Sequence, residues 1–411
     1  MTTIKKSKEV TASIEIESPF YFRELFFSRT DERGKIQSGN EVFQRISQYS
    51  WAELAGKPHN IIRHESMPRA VFWLLWDRLK KGMPTGAYVK NRAKDGRYYW
   101  VYAIITPCES GFLSVRLKPG SALFDVVQTE YAALLRVETD ADLSPAESAG
   151  LLSSRLSELG FENYDAFMAA TLVAEFSGRE NQMERQTKRT LALYTRLIPS
   201  TTRLLSAARG ITEGYQAYRF VPLNLIVHAG QIGDAGAAIA TISNNYNILS
   251  DQIQQGLRDF LEAAVRVSHT IHLGAFLLAT SYLQQEVVDG FQNEMPTAGV
   301  DHAQEQVLLR QQLSTYQAHA LQSLGDMERE LKTFFSRASE MKRLALGLAA
   351  IRVMGKVETG RLDASGLKDL IADLEAFQDI LQTGLSDILN VNNGLRSDAA
   401  QLMEAYADEQ A

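Results

Sequence analysis

Three consecutive strand-forming runs separated by tight turns constrain this chain more than anything else in it. Residues 86–92, 97–107 and 111–117 are rich in β-branched and aromatic side chains and are divided by Asp95-Gly96 and Glu109-Ser110-Gly111. Turns of this kind fold neighbouring strands back as hairpins, because glycine takes the positive φ that a short reversal needs. Along the middle run Val101, Ala103 and Ile105 alternate with Tyr102, Ile104 and Thr106. Both sets are partly apolar, so the sheet needs cover on both faces. The following segment, from Leu123 to Leu135, is expected to dock directly on the sheet and not to hang from a free linker.

The preceding residues supply the rest of a sheet domain. Val10 to Ile16 alternates as a short strand would, Phe20 to Ser28 reads as a cap helix or first strand, and residues 30–36 read as a hairpin turn with Gly34 at the bend. Asn40 is placed to cap a helix, and Ser50 followed by Glu53 resembles a capping box. Met67-Pro68 opens a helix whose Ala70, Val71, Leu74, Leu75, Trp76 and Leu79 form one apolar face, ended by Lys80-Lys81-Gly82.

Between residues 56 and 100 the chain gathers two histidines, five arginines, three tryptophans and two asparagines. That mixture suits a planar, phosphate-bearing cofactor, since guanidinium planes stack on aromatic faces while arginine neutralises phosphate. The stretch reads G-x-P-H-N-x-x-R-H-x-x-M-P before an aromatic helix, then V-K-N-R-x-K-x-G-x-x-Y-W-V. Through these motifs residues 26–118 resemble the FAD-binding PAS domain of bacterial aerotaxis receptors, the redox sensors of energy taxis. The resemblance implies an α+β PAS domain, a five-stranded antiparallel sheet with flanking helices, holding FAD.

It also implies cofactor contacts from Asn40, His59, Asn60, Arg63, His64, Phe72, Trp76, Asn91 and Trp100. Arg63 and His64 would hold the pyrophosphate or ribose side, Trp76 would pack against the cofactor, and Asn91 would lie near the ring or its chain. Oxidised isoalloxazine presents N5 as an acceptor and the reduced ring presents it as a donor, so a neighbouring amide that can reverse its hydrogen bond is wanted. Asn91 and Asn40 have that capacity. The Asp that usually follows Arg-His by two is Ser66 here, which leaves FMN open beside FAD. On the residues alone, Phe72, Trp73 and Trp76 also read as helix core, and His64 as a structural histidine. Haem ligation through His59 or His64 is an alternative. A light-sensing cysteine within Asn-Cys-Arg is absent from the sequence, and Cys108 stands at a strand end.

Beyond residue 121 proline and glycine thin out, and apolar residues recur at three and four, as in Leu331, Phe335, Ala338 and Met341. This is an all-α region of helical hairpins or bundles, with Ser144-Pro145-Ala146-Glu147 starting one helix. Residues 290–303, with Pro296, Gly299 and Asp301, read as a linker. The expected division is an N-terminal extension 1–19, a PAS domain 20–120, connecting helices 121–162, a helical hairpin 163–290 and a second hairpin 291–411.

Residues 221–242, VPLNLIVHAGQIGDAGAAIATI, resemble the tip of the chemoreceptor signalling hairpin, which in that family contacts the histidine kinase and its coupling protein. Leu223, Asn224, Ala229, Gly233, Gly236 and Ala240 match. His228 and Gln231 stand where the family has Glu and Arg. The resemblance implies a chemotaxis-type kinase or coupling protein as partner, met by Asn224, His228, Gln231 and Gly233; tight helix packing is the other use of Asn224 and the glycines. A weaker echo at 348–360 implies a second bend. Two bends would let one chain make the four-helix arrangement that chemoreceptors build from two subunits.

A formal net charge of −6 gives no basic field for nucleic acid. A single cysteine excludes an intramolecular disulfide framework and a cysteine-rich zinc site, and suits a reducing compartment. The sequence holds no apolar run of about 18 residues and no apolar signal core, which predicts a soluble, cytoplasmic protein, unlike the membrane-anchored aerotaxis receptors. It offers no P-loop, Ser-His-Asp order, zinc spacing or kinase ATP signature, so no enzyme activity is expected beyond flavin redox cycling. The chain thus reads as a flavin-PAS sensor of redox state or oxygen with a chemoreceptor-like output. The alternatives are a flavoprotein electron-transfer enzyme, a haem-PAS gas sensor and a PAS-dimerised helical scaffold; a homodimer is compatible with the sensor reading.

Overall fold

The computed structural model describes residues 14–232, 237–296, 299–362 and 365–410. The chain forms two compact units: residues up to Ala192 with Leu273–Leu321, and Leu193–His272 with Gln322–Ala411. The helices Ala237–Gln292 and His302–Leu362 each contribute residues to both units. No helix among the described residues is long and apolar enough to cross a membrane.

The first unit is built on a sheet of strands β1 (Ile14–Glu17), β2 (Leu25–Thr30), β3 (Ile36–Gly39), β4 (Thr85–Arg92), β5 (Arg97–Cys108) and β6 (Gly111–Leu117). Five run antiparallel in the order β3-β2-β6-β5-β4. The sheet has a sixth strand beyond the five expected: β1 lies parallel to the start of β5, pairing Ile14 with Arg97 and Glu17 with Tyr98. The two hairpin turns fall where the glycines predict, with Gly96 at φ 94° and Gly111 at φ 139°. Gly111 is also packed too tightly for any side chain, since a Cβ there would come within 2.0 Å of the Thr30 carbonyl.

Between β3 and β4 the chain crosses the inner face of the sheet as α1 (Glu41–Ser47), α2 (Trp51–Leu54), a 3-10 turn (His59–Ile62) and α3 (Arg69–Lys80). Ala70, Val71, Leu75 and Leu79 of α3 are buried, while Leu74 and Trp76 are half-buried. The outer face is covered by α4 (Ala122–Asp140) and α6 (Tyr164–Gln182), with α5 (Pro145–Glu158) between them in sequence. Phe124 of α4 stacks on Tyr88 at 5.6 Å and meets Trp100 edge-on at 5.4 Å. Tyr102 donates to the Met168 carbonyl of α6 at 3.0 Å, and Thr106 accepts from Gln284 and Gln312 at 3.3 and 3.0 Å. The helical region therefore docks on the sheet directly.

Glu175 of α6 fastens this cover. Its buried carboxylate accepts from Tyr88 Oη at 2.7 Å, from the backbone N–H of Gly120 and Ser121 at 2.6 and 3.1 Å, and from Ser121 Oγ at 2.6 Å. It serves both the sheet and the N-terminus of α4, whose first N–H groups have no partner within the helix.

The second unit takes its helices from α7 (Arg189–Tyr218), α8 (Val221–Ile232), α9 (Ala237–Gln292), α10 (His302–Leu362) and α11 (Ser365–Gln410). Four contacts join neighbouring helices. Tyr215 of α7 donates to the Ser250 carbonyl of α9 at 3.2 Å, and Phe260 of α9 packs on Phe334 of α10 at 4.9 Å. Arg352 of α10 pairs with Glu375 of α11, and Asp398 of α11 with Arg196 of α7 at 2.6 Å. Second contacts run in reversed order: Arg266 of α9 with Glu330 of α10, Tyr215 of α7 with Phe377 of α11, and Phe335 of α10 with Arg396 of α11. The neighbours are therefore antiparallel, and one chain makes an up-down-up-down four-helix bundle. Leu331, Ala338 and Met341 face its core, but Phe334 takes the buried place expected of Phe335, which sits at the surface beneath Arg396. The echo at 348–360 lies wholly inside α10, so it is not itself a bend.

Candidate functional site

A cavity of about 220 Å³ opens between α3, the β2–β3 turn, the 3-10 turn and the inner faces of β4, β5 and β6. Its apolar wall is made by Leu75, Leu79, Val89, Ala103, Ile105 and Phe112. Trp76 stands at one side, edge-on to Phe112 at 5.6 Å. The indole also lies against Gly34, which has φ 73°, and a Cβ there would be 3.1 Å from the ring. Glycine is required at this bend twice over, by its backbone conformation and by the tryptophan.

His59, Asn60, Arg63, Phe72, Trp76 and Asn91 all line this cavity. The 3-10 turn and β4 are brought together by an antiparallel bridge between Arg63 and Asn91 and by the His64 N–H donating to the Lys90 carbonyl at 3.3 Å. Asn91 reaches the inner face because β4 alternates, with Val89 beside it and Tyr88 and Lys90 turned away. The Arg63 guanidinium lies 3.2 Å above the Phe72 ring, and burial pulls its pKa below the usual range.

Asn40, His64 and Trp100 are not among the residues that line the cavity. Asn40 caps α1: its Oδ1 accepts from the N–H groups of Phe27 and Phe43, both at 3.3 Å, and its Nδ2 donates to Leu25 O at 3.1 Å and Glu294 Oε1 at 3.2 Å. His64 follows Arg63, whose backbone is extended, so its side chain leaves on the other side; its Nδ1 meets Ser66 N at 3.1 Å and Ser66 Oγ at 2.8 Å. Trp100 is on the outer face, packed on Phe124 and Tyr131.

The cavity also holds a charged residue from outside the sequence motifs. Arg116, only 5% exposed, projects from β6 with Ser114 and Phe112. Its guanidinium donates to Ser28 Oγ at 2.8 Å and to His59 Nε2 at 2.9 Å. Among the described residues no carboxylate forms an ion pair with it, and burial lowers its pKa to about 10. A guanidinium can only donate, so His59 Nε2 is an acceptor and the ring proton sits on Nδ1. Burial, then the charge of Arg116, holds the His59 pKa well below the ordinary histidine value.

Three further polar atoms, Asn91 Nδ2, Ser114 Oγ and Arg63 Nε, are buried with no hydrogen-bond partner among the described residues and belong to residues of the cavity wall. Buried polar groups are costly unless they are paired. The wall is thus apolar on one side and short of acceptors on the other. The signal for Arg116 was present in the sequence, since a charged residue at an inward position of a buried strand needs a partner.

The description of the family model that matches the chain is the PAS fold, over residues 37–112. The aerotaxis receptor of Escherichia coli (strain K12) is 40% identical over 112 residues, covering 26% of this chain and 22% of the receptor. Residues 37–112 lie in a PAS domain of the aerotaxis receptor family. The nitrogen fixation regulatory protein of Klebsiella pneumoniae is 32% identical over 80 residues, 20% of this chain and 16% of that protein. Among solved structures, the LOV domain from the Erythrobacter litoralis EL346 blue-light activated histidine kinase aligns with a TM-score of 0.21 and 14% identity, covering 22% of this chain and 90% of that one. The chain therefore matches about a fifth of the length of these curated relatives.

Outside the PAS domain, α8 carries the other residues singled out from the sequence. Asn224 and Gln231 are exposed and His228 is half-buried. Leu223 and Val227 are exposed as well, at 55% and 54%. Gly233 and Gly236 lie outside the described residues. The one cysteine is half-buried beside the Arg29–Glu305 ion pair, outside the PAS cavity.

Proposed function

We propose that the PAS domain binds a flavin and that the protein is a signalling sensor of redox state or oxygen. The observation that carries this reading is the unfinished polar side of the cavity: a buried guanidinium without a carboxylate, with Asn91 Nδ2 and Ser114 Oγ unpartnered nearby in the wall. An isoalloxazine has the matching edges, apolar at its dimethylbenzene end and rich in acceptors at its pyrimidine end.

The cavity is smaller than the roughly 300–1,000 Å³ that encloses a drug-sized ligand. It suits the ring system, with the phosphate chain leaving past Arg33, Asn60 and Arg63 at the margin. Ser66 is engaged by His64, so the departure from the family's Asp falls behind the wall, and FAD is the first expectation with FMN the alternative. When bound, a flavin supplies a redox centre. Arg116 then places positive charge beside the ring, Asn91 offers an amide that can donate or accept, and Trp76 limits access of water.

The helical region is proposed as the output, acting on a chemotaxis-type kinase or coupling protein through Asn224, His228 and Gln231. The absorbance spectrum of the purified protein tests the first half of the reading. Two flavin bands are expected; a Soret band moves the cavity to haem, and a colourless protein that takes up no added FAD or FMN refutes flavin binding. Steady turnover of NAD(P)H with an acceptor would make it an electron-transfer enzyme. Replacing Asn224 with Ala is expected to abolish signalling and leave the spectrum unchanged.

A further inference from the structure

A helix that forms the wall of a binding cavity must satisfy the N–H groups of its first turn, and α3 does not do so itself. Pro68 stands at its N-cap position and offers no side-chain acceptor. The acceptor comes from α4. Glu138, 2% exposed, takes the N–H of Arg69 on Oε2 at 2.9 Å and that of Ala70 on Oε1 at 3.1 Å. Ser148 of α5 donates its hydroxyl to Oε1 at 2.5 Å, and the Arg69 side chain lies 3.7 Å from Oε2. At the other end of α3, Arg78 pairs with Asp165 of α6 at 2.7 Å.

We propose that Glu138 is a positioning residue for the PAS cavity. Its carboxylate sets where α3 presents Phe72, Leu75, Trp76 and Leu79, all of which line the wall. The charge suits the positive end of the helix dipole as well as the free N–H groups. Removing it frees one end of α3 while Arg78 still holds the other, so the helix turns about its C-terminal tie and Trp76 shifts against Gly34. The coupling is reciprocal: a ligand that fixes α3 also fixes its bonds to Glu138, and so acts on α4. The proposal rests on the flavin reading and adds that part of the cavity's geometry is set from outside the sheet domain.

The test uses the full chain with FAD as the probe, comparing wild type with Glu138→Ala, Glu138→Gln and Ser148→Ala. Loss of the cap should weaken FAD binding by roughly three- to thirtyfold in Glu138→Ala. The bound flavin should also fluoresce more strongly there, because an indole displaced from the cavity wall would quench it less. Glu138→Gln, which keeps one carbonyl acceptor, should restore part of both signals, and Ser148→Ala should show a smaller change in the same direction. Wild-type affinity and fluorescence in a folded Glu138→Ala protein overturn the positioning role. Where that variant does not fold, unchanged values in both Glu138→Gln and Ser148→Ala do the same. A wild type that takes up no FAD refutes the flavin reading, and this proposal falls with it; unchanged variants of a wild type that binds FAD refute the positioning role alone.

Discussion

The two faces of the PAS sheet come from the same strands and differ in how their polar groups are satisfied. On the outer face Tyr88, Tyr102 and Thr106 each have hydrogen-bond partners from the helices, Glu175, Thr171 with the Met168 carbonyl, and Gln284 with Gln312. On the inner face, among the described residues, Asn91 Nδ2 and Ser114 Oγ have no partner and Arg116 has neutral ones. The outer face is a protein interior completed by the chain. On the proposed reading a bound flavin completes the inner face, and the unpaired polar groups cost the ligand-free protein stability.

The contrast can be broken most directly at Trp76. Trp76→Ala is expected to weaken flavin binding by about 2–4 kcal/mol, roughly 30- to 1,000-fold, which titration with FAD measures. An outer-face change should behave differently. Tyr88→Phe takes one donor from buried Glu175, a loss of about 1.5–3 kcal/mol that urea unfolding should report equally with and without flavin. A fall in flavin affinity as large as that of Trp76→Ala would erase the distinction between the faces.

Arg116→Met sharpens it by sign. Removing a buried charge that has no acid partner should stabilise the ligand-free protein by about 1–2 kcal/mol and weaken flavin binding. Because the folded pKa of Arg116 is lowered to about 10, the cost of its charge is present throughout neutral pH and is relieved only as pH rises through that value. Destabilisation by Arg116→Met without ligand would show that the guanidinium already has what it needs.

The smallest effect is expected from His59, whose folded pKa is also lowered. The unfolded chain takes up a proton near the ordinary histidine value while the native state resists. His59 therefore costs no stability well above pH 6.5, and the loss grows as pH falls, at most about 1.4 kcal/mol per pH unit. Unfolding measured at pH 7.5 and 5.5 should show a fall that His59→Gln removes. An equal fall in that variant would assign the pH dependence to other groups.

The strands and caps were legible because their signals are local. Asp95-Gly96 and Glu109-Ser110-Gly111 specify reversals by backbone conformation, and Asn40 and Ser144 cap the helices that follow them. Other parts of the site turn on strand parity, which residue density does not report. Tyr99 and Trp100 are neighbours on a strand, so only one can face inward, and it is Tyr99 that does. The same parity count on β6 groups Phe112, Ser114 and Arg116 on the inner face. Asn40 could not serve both as cap and as cofactor amide, since its capping bonds occupy the side chain. Glu138 and Glu175 carry no local signal at all, because each caps a helix more than fifty residues away.

The four-helix bundle of the second unit has a consequence for dilution. Its α7, α9, α10 and α11 segments come from one chain, so burying their apolar faces is a unimolecular event. A bundle assembled from two subunits loses stability as concentration falls, because dissociation and unfolding are linked. Here the core of that unit closes within one chain, so its formation does not wait on an encounter between subunits.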